Sequence, residues 1–270
     1  MQSSVVSAGG RGSELRAMSR ATVPLSAFSF QLSAFSCQLT AIFRAMHRAP
    51  PRVLAHRGAS GHELENSLAA FRRAVAFNVD GIELDVHSTR DGELVVHHDA
   101  KVPGMGPISE LRMAELAPHR LSNGEPIPTL EAALATIGDL EVWTEVKVLP
   151  AGHDQRLVRV LREGPAPRRY GVHSFDHRIV KRIGEAARDF RTGVLLAARL
   201  LDPVASMQAA GATVVWQEWS MIDADLVNVI HAASGEVMAW TVNEKAAAEQ
   251  LGALGVDALC GNYPERLRVL

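Results

Sequence analysis

Two histidines, an arginine and several acids fall where short apolar runs end. His56 and Arg57 close Val53-Leu54-Ala55, Glu83 and Asp85 sit within Gly81–Val86, and His98-Asp99 closes Leu94-Val95-Val96-His97. Further on, Glu145 and Lys147 stand in Trp143-Thr144-Glu145-Val146-Lys147. Residues two apart on a strand share a face. Glu83 therefore points with Asp85, and Glu145 with Lys147. Carboxylates held together in an apolar interior repel, so one takes a proton or a cation sits between them. Glu83, Asp85 and Glu145 form a hard oxygen-donor set, suited to Mg2+ or Ca2+ rather than zinc. The competing reading is an internal salt bridge of Glu145 with Lys147 or Arg57 and no metal. Arg57 has the fork geometry for phosphate oxygens, and two imidazoles flanking one phosphate can serve as acid and base. The set suits metal-assisted attack on a phosphate ester.

Other residues have plainer accounts. Gly58 lets the chain turn sharply after Arg57 or approach a ligand closely. Glu65-Asn66 precedes Ser67, a plausible helix N-cap, so the pair has a structural reading beside a supporting role at the site. His97 alternates with His98 and should face away from it. Trp216, Trp219 and Trp240 read as core aromatics. Of 28 basic residues only Lys101, Lys147, Lys181 and Lys245 are lysine, which makes Lys147 an unusual choice beside an acid.

These residues need strands to hold them. From Arg52 onward, strand and helix patterns alternate. Strands are expected near Val53–Ala55, Gly81–Val86, Glu141–Val146, Tyr170–His173, Thr192–Leu196, Thr213–Trp216, Glu236–Thr241 and Ala258–Cys260. A helix pattern follows each, beginning with Ser67–Phe77, whose Leu68, Phe71, Ala74 and Val75 share a face. Thr129 should cap Leu130–Ile137. Residues 99–128, punctuated by Pro and Gly, read as an irregular excursion after strand 2 with one short helix near Ser109–Leu116. Short apolar strands argue for a parallel sheet buried on both faces. The fold expected is α/β, a (β/α)8 TIM barrel, of the size such barrels commonly use, about 250 residues. Its active site belongs at the C-terminal strand ends, where the polar outliers fall. A doubly wound open sheet is the alternative, but no Gly-rich phosphate loop follows strand 1.

The 270-residue chain is 47% hydrophobic with net charge −2, so nothing global points to nucleic acid or an anionic membrane. Two cysteines, Cys37 and Cys260, make neither a disulfide framework nor a zinc site, and a reducing compartment is the simpler reading. Residues 1–50 read as a low-complexity, poorly ordered tail, and 51–270 as the catalytic barrel. The tail holds a seven-residue tandem repeat, Ser26–Leu32 then Ser33–Leu39. Its apolar stretch, broken by Gln31 and Gln38, is too short to insert stably in a membrane. A tail, or upstream sequence translated from an early start ahead of Met46, fits better than an export signal. Cytoplasmic residence is the expectation, with export the alternative.

The order of pieces, His56-Arg57-Gly58, Glu65-Asn66-Ser67, Glu83-Leu84-Asp85 and Asp91-Gly92-Glu93-Leu94-Val95-Val96-His97-His98-Asp99, resembles the glycerophosphodiester phosphodiesterase family. Later echoes are Pro128-Thr129-Leu130-Glu131, Glu145-Val146-Lys147, Ser174-Phe175-Asp176, Trp240-Thr241 and Gly255-Val256-Asp257. The resemblance implies a barrel that hydrolyses glycerophosphodiesters to glycerol 3-phosphate and an alcohol. It implies His56 and His98 as acid/base catalysts, Glu83, Asp85 and Glu145 as ligands of Mg2+ or Ca2+, and Arg57 and Lys147 as phosphate contacts. It further implies a substrate-facing Trp240 and supporting Glu65 and Asn66. Attack by the substrate's own hydroxyl, through a cyclic phosphate, and attack by water both stay open. Two features depart from the pattern: Gly261-Asn262 stands where the family usually has Thr-Asp, and the excursion lacks an R-T-[TS]-G segment. The rivals are a lysophospholipase D-type enzyme, for which Met105, Leu111 and Met113 could form an apolar lip, and a non-catalytic phosphodiester-binding relative.

Overall fold

The computed structural model describes residues 49–268; the expected tail over 1–50 lies outside them but for its last two residues. Eight parallel strands close into a barrel: β1 (Arg52–His56), β2 (Gly81–Ser88), β6 (Glu141–Val148), β7 (Tyr170–Ser174), β8 (Arg191–Leu196), β9 (Val214–Glu218), β10 (Glu236–Trp240) and β11 (Ala258–Gly261). Closure comes from β1, which pairs with β2 on one side and β11 on the other. A short β3 (Leu94–Val96) returns antiparallel along the end of β2. This is the TIM barrel that the alternation of elements predicts.

Helices cover the outside: α1 (Leu68–Ala76), α3 (Leu130–Ile137), α4 (Asp154–Glu163), α5 (His177–Ala186), α6 (Pro203–Ala209), α7 (Ala224–Ala232) and α8 (Lys245–Leu254), with the single-turn α2 (Met113–Leu116) in the excursion. Side chains of Ser67, Thr129, Asp176, Asp202 and Asp223 each accept a backbone N–H at a helix start, a cap worth about 0.5–2 kcal/mol. The main core lies between strands and helices. A second cluster fills the barrel itself, with Leu54, Trp143, Leu195, Val214, Trp216, Met238, Ala258 and Cys260 facing inward.

Three expectations are corrected. The helix near Ser109–Leu116 divides into a 3-10 turn, Ile108–Glu110, and α2, because Leu111 and Arg112 between them are extended. Val75 is 39% exposed; it lies at the edge of the helix face that Phe71 and Ala74 bury. β2 and β6 each run two residues further than expected, so Glu145 and Lys147 lie inside β6 rather than ending it, while Glu83 and Asp85 lie inside β2 as expected. The excursion holds a small core of its own, Val95, Val102, Ile108, Leu116 and Ile127, with β4 (Lys101–Val102) and β5 (Gly106–Pro107) pairing above it. Among the described residues, no helix is long and apolar enough to cross a membrane.

Candidate active site

The site begins at the turn after β1. Arg57 and Gly58 both take positive φ, 56° and 81°. A Cβ on Gly58 would lie 2.7 Å from the Ala70 backbone, so only glycine lets this turn rest on α1. The turn brings Arg57 over β2: its backbone N–H donates to Glu83 Oε2 at 3.1 Å. Its guanidinium pairs with Asp85 Oδ2 at 3.0 Å and Glu65 Oε2 at 2.8 Å. Asn66, also at positive φ and 3% exposed, clamps Asp85 from the other side. Its Nδ2 donates to Asp85 Oδ2 at 2.7 Å, and its Oδ1 accepts the Asp85 N–H at 3.2 Å. Ser67 caps α1 as its position predicts, while Glu65 and Asn66 are turned to the arginine and the aspartate.

Opposite each other on β2 and β6 stand Asp85 and Glu145. With Glu83 they place three buried carboxylates within 4.8 Å of one another. Lys147 Nζ lies 2.9 Å from Asp85 and 2.5 Å from Glu145. The salt-bridge alternative is thus present in part: Lys147 bridges two acids, whereas Arg57 takes Asp85 and Glu65 rather than Glu145. It does not satisfy the set. Burial pushes Glu83 up to about 7, helped by the charge of Asp85 and opposed by His56, Arg57 and Lys147. Burial, then Asp85 and Glu83, pushes Glu145 up to about 7. Burial also acts against the Asp85 anion, but Lys147, Arg57 and the Asn66 hydrogen bond outweigh it and hold that carboxyl down to about 2. Glu83 Oε1 has no hydrogen-bond partner among the described residues.

His56 closes β1 opposite Glu83, with its Nε2 3.9 Å from Glu83 Oε2. Its Nδ1 lies 2.7 Å from Asn262 Oδ1, which also accepts from Ser60 Oγ at 3.1 Å. An amide oxygen only accepts, so Nδ1 carries a proton and Nε2 is left without a hydrogen-bond partner on the carboxylate side. The departure at Asn262 is therefore a contact to His56. The neighbouring Gly261 has its own reason, since an added Cβ would overlap the Val242 carbonyl oxygen. His98 follows β3, which the His97 N–H ties to the Asp85 carbonyl at 3.1 Å. His98 Nδ1 faces its neighbour Asp99 Oδ1 at 2.9 Å, again leaving Nε2 free. His97 Nδ1 bonds the Asp99 carbonyl oxygen instead.

Contacts thus link Glu83, Asp85, Glu145, Arg57, Lys147, Glu65, Asn66 and His56, with His98 alongside through β3. Trp240 is set apart from them, packed against the barrel interior and edge-on to Phe175 at 5.6 Å. Sequence reasoning missed His173, which faces inward on β7 opposite Glu145. It is 1% exposed, with Nε2 3.7 Å from Glu83 Oε1 and its ring packed against both Trp143 and Trp216, which also touch each other. Burial drives it down to about 4. The signal was the two-residue step from Gly171 to His173, readable only once the inner face of β7 is known.

The model of the glycerophosphoryl diester phosphodiesterase family matches residues 56–266. The chain belongs to this family. It is a phosphoric diester hydrolase, similar to the glycerophosphodiester phosphodiesterase of Caldanaerobacter subterraneus subsp. tengcongensis, with 32% identity over 231 residues, 80% of this chain and 95% of that one. Among solved structures, a glycerophosphodiester phosphodiesterase from Parabacteroides distasonis superposes with a TM-score of 0.74 at 25% identity, covering 82% of this chain and 96% of its own. An Oleispira antarctica phosphodiesterase, solved with its product sn-glycerol-3-phosphate, gives 0.73 at 26% identity, covering 81% and 95%. The phosphodiesterase family match begins at His56 and so spans the whole constellation above.

Proposed function

We propose that this enzyme hydrolyses glycerophosphodiesters to glycerol 3-phosphate and an alcohol, with a divalent cation, Mg2+ or Ca2+, and with His56 and His98 as acid and base. The observation that carries the reading is the buried carboxylate set, flanked by two cations and by a histidine with a free Nε2. The substrate class is supported by the named relatives and by the product in the Oleispira enzyme.

The donor set fits a hard cation: three carboxylates, one with an oxygen that nothing among the described residues satisfies. Glu83, Asp85 and Glu145 would hold it. Such an ion polarises phosphoryl oxygens and lowers the pKa of an attacking hydroxyl. The chain's own residues do the remaining work. Arg57 and Lys147, anchored on Asp85, hold positive charge beside the carboxylates where phosphate oxygens would lie, and offset the charge that grows there. Glu65 and Asn66 hold Arg57 and Asp85 in place. One histidine takes the nucleophile's proton at Nε2 and the other gives one to the leaving oxygen. Trp240, with Phe175, offers an aromatic wall for the organic part of the substrate. Met105, Leu111 and Met113 pack on the excursion's own core, which counts against an acyl-binding lip there.

Replacing His56 or His98 by Ala should each lower kcat by about 100- to 10,000-fold while leaving the far-ultraviolet circular dichroism unchanged. Near-wild-type turnover in either variant removes that histidine from the mechanism.

A further inference from the structure

We infer that His173 is a nitrogen ligand of the same cation, making the site three carboxylates and one imidazole and tilting its preference from Ca2+ toward Mn2+ and similar transition ions; this rests on the carboxylates holding a cation. Among the described residues, both ring nitrogens of His173 lack a hydrogen-bond partner, and so does Glu83 Oε1, which faces Nε2 at 3.7 Å. Two orphaned polar groups facing each other in a buried site each carry a desolvation cost of about 1–3 kcal/mol. The gap between them is too long for a hydrogen bond and too short for a bridging water, which spans about 4.5 Å. It falls within the roughly 3–4 Å that separates two donors bound to one ion at about 2.0–2.3 Å.

Among the described residues, three other histidines nearby each have a partner at one ring nitrogen, where His173 has none at either. His56 is tied at Nδ1 to Asn262, His98 at Nδ1 to Asp99, and His87 at Nε2 to the His98 carbonyl oxygen. The His173 ring packs on two tryptophans, with ring centroids 4.3 Å from Trp216 and 5.8 Å from Trp143. Its backbone register opposite Glu145 puts it on the carboxylates' level of the barrel. An imidazole donor added to an oxygen set favours first-row transition ions over Ca2+.

The test uses the full chain loaded with Mn2+. Pulsed electron paramagnetic resonance should show coupling to a directly bound nitrogen. The coupling should persist in His56→Asn and His98→Asn and vanish in His173→Gln. Titration calorimetry should show the Mn2+-over-Ca2+ affinity ratio falling at least about tenfold in His173→Gln, the low end of what losing even an outer partner costs. Bound Mn2+ without nitrogen coupling in the wild type, or coupling that survives in His173→Gln, overturns the assignment. Failure of the wild type to bind either ion removes the cation reading beneath it, a distinct result.

Discussion

Glu83 and Asp85 stand two residues apart on one strand yet ionise in opposite senses. Asp85 has Lys147, Arg57 and Asn66 on it and is held down to about 2; Glu83 shares those cations only at second hand and is pushed up to about 7. A carboxyl whose folded pKa lies above its unfolded value binds more protons when folded. Its stabilising effect is full below the unfolded pKa, near 4.5, and is lost as pH rises through about 7. His173, held near 4, acts in the opposite direction over part of that range. The clean readout is therefore a difference: in chelator, the Tm of Glu83→Gln should gain on the wild type as pH rises from about 5 to 7.5, and a constant gap would contradict this. Much of this cluster was legible in the sequence because period-two spacing fixes a shared face, as for Glu83 with Asp85 and Glu145 with Lys147. His173 was not, because Tyr170-Gly171-Val172-His173-Ser174 has no alternation to say which side faces in. The partner of His56 was hidden for another reason: Asn262 is 206 positions away and becomes its neighbour only when β11 closes against β1.

β11 does two jobs at once. It completes the barrel, and its end delivers Asn262 to His56 while Gly261 passes beneath the Val242 carbonyl. A side chain at 261 must push one of these aside. Gly261→Ala should destabilise the enzyme by about 1–3 kcal/mol, a usual cost of overpacking, read as a Tm drop of roughly 2–4 °C per kcal/mol for a domain of this size. An unchanged Tm would mean the strand end yields freely. Most elements could be read from the chain, because several apolar runs open on a capping side chain: Ser67 caps α1 and Thr129 caps Leu130–Ile137, at the residues expected. The excursion resisted because its residues obey no single period, and its apolar side chains pack locally on Ile108 and Leu116 rather than on the barrel.

The barrel separates chemistry from stability along its axis. At the end opposite the carboxylates, Arg52 and Arg191 alternate with Glu141 and Glu236 in a closed ring of ion pairs, with Arg191 reaching Glu141 at 2.8 Å and Glu236 at 2.6 Å. Trp143 joins it through its indole N–H, 2.6 Å from Glu141, and Arg191 lies over the Trp143 ring at 4.9 Å. Glu236 and both arginines are about a third open to water. Arg191→Met should thus cost about 1–3 kcal/mol, less than the loss of a fully buried pair, with kcat within about twofold of wild type by steady-state assay. A large fall in kcat with stability intact would show that the two ends are coupled. The most direct test of the whole reading is glycerol 3-phosphate release from glycerophosphocholine and glycerophosphoethanolamine, measured after chelation and again with Mg2+ or Ca2+ restored. Release that stops on chelation and returns with the ion is the expected result. Release that continues undiminished in chelator, or none from either substrate by folded, ion-loaded enzyme, would contradict it.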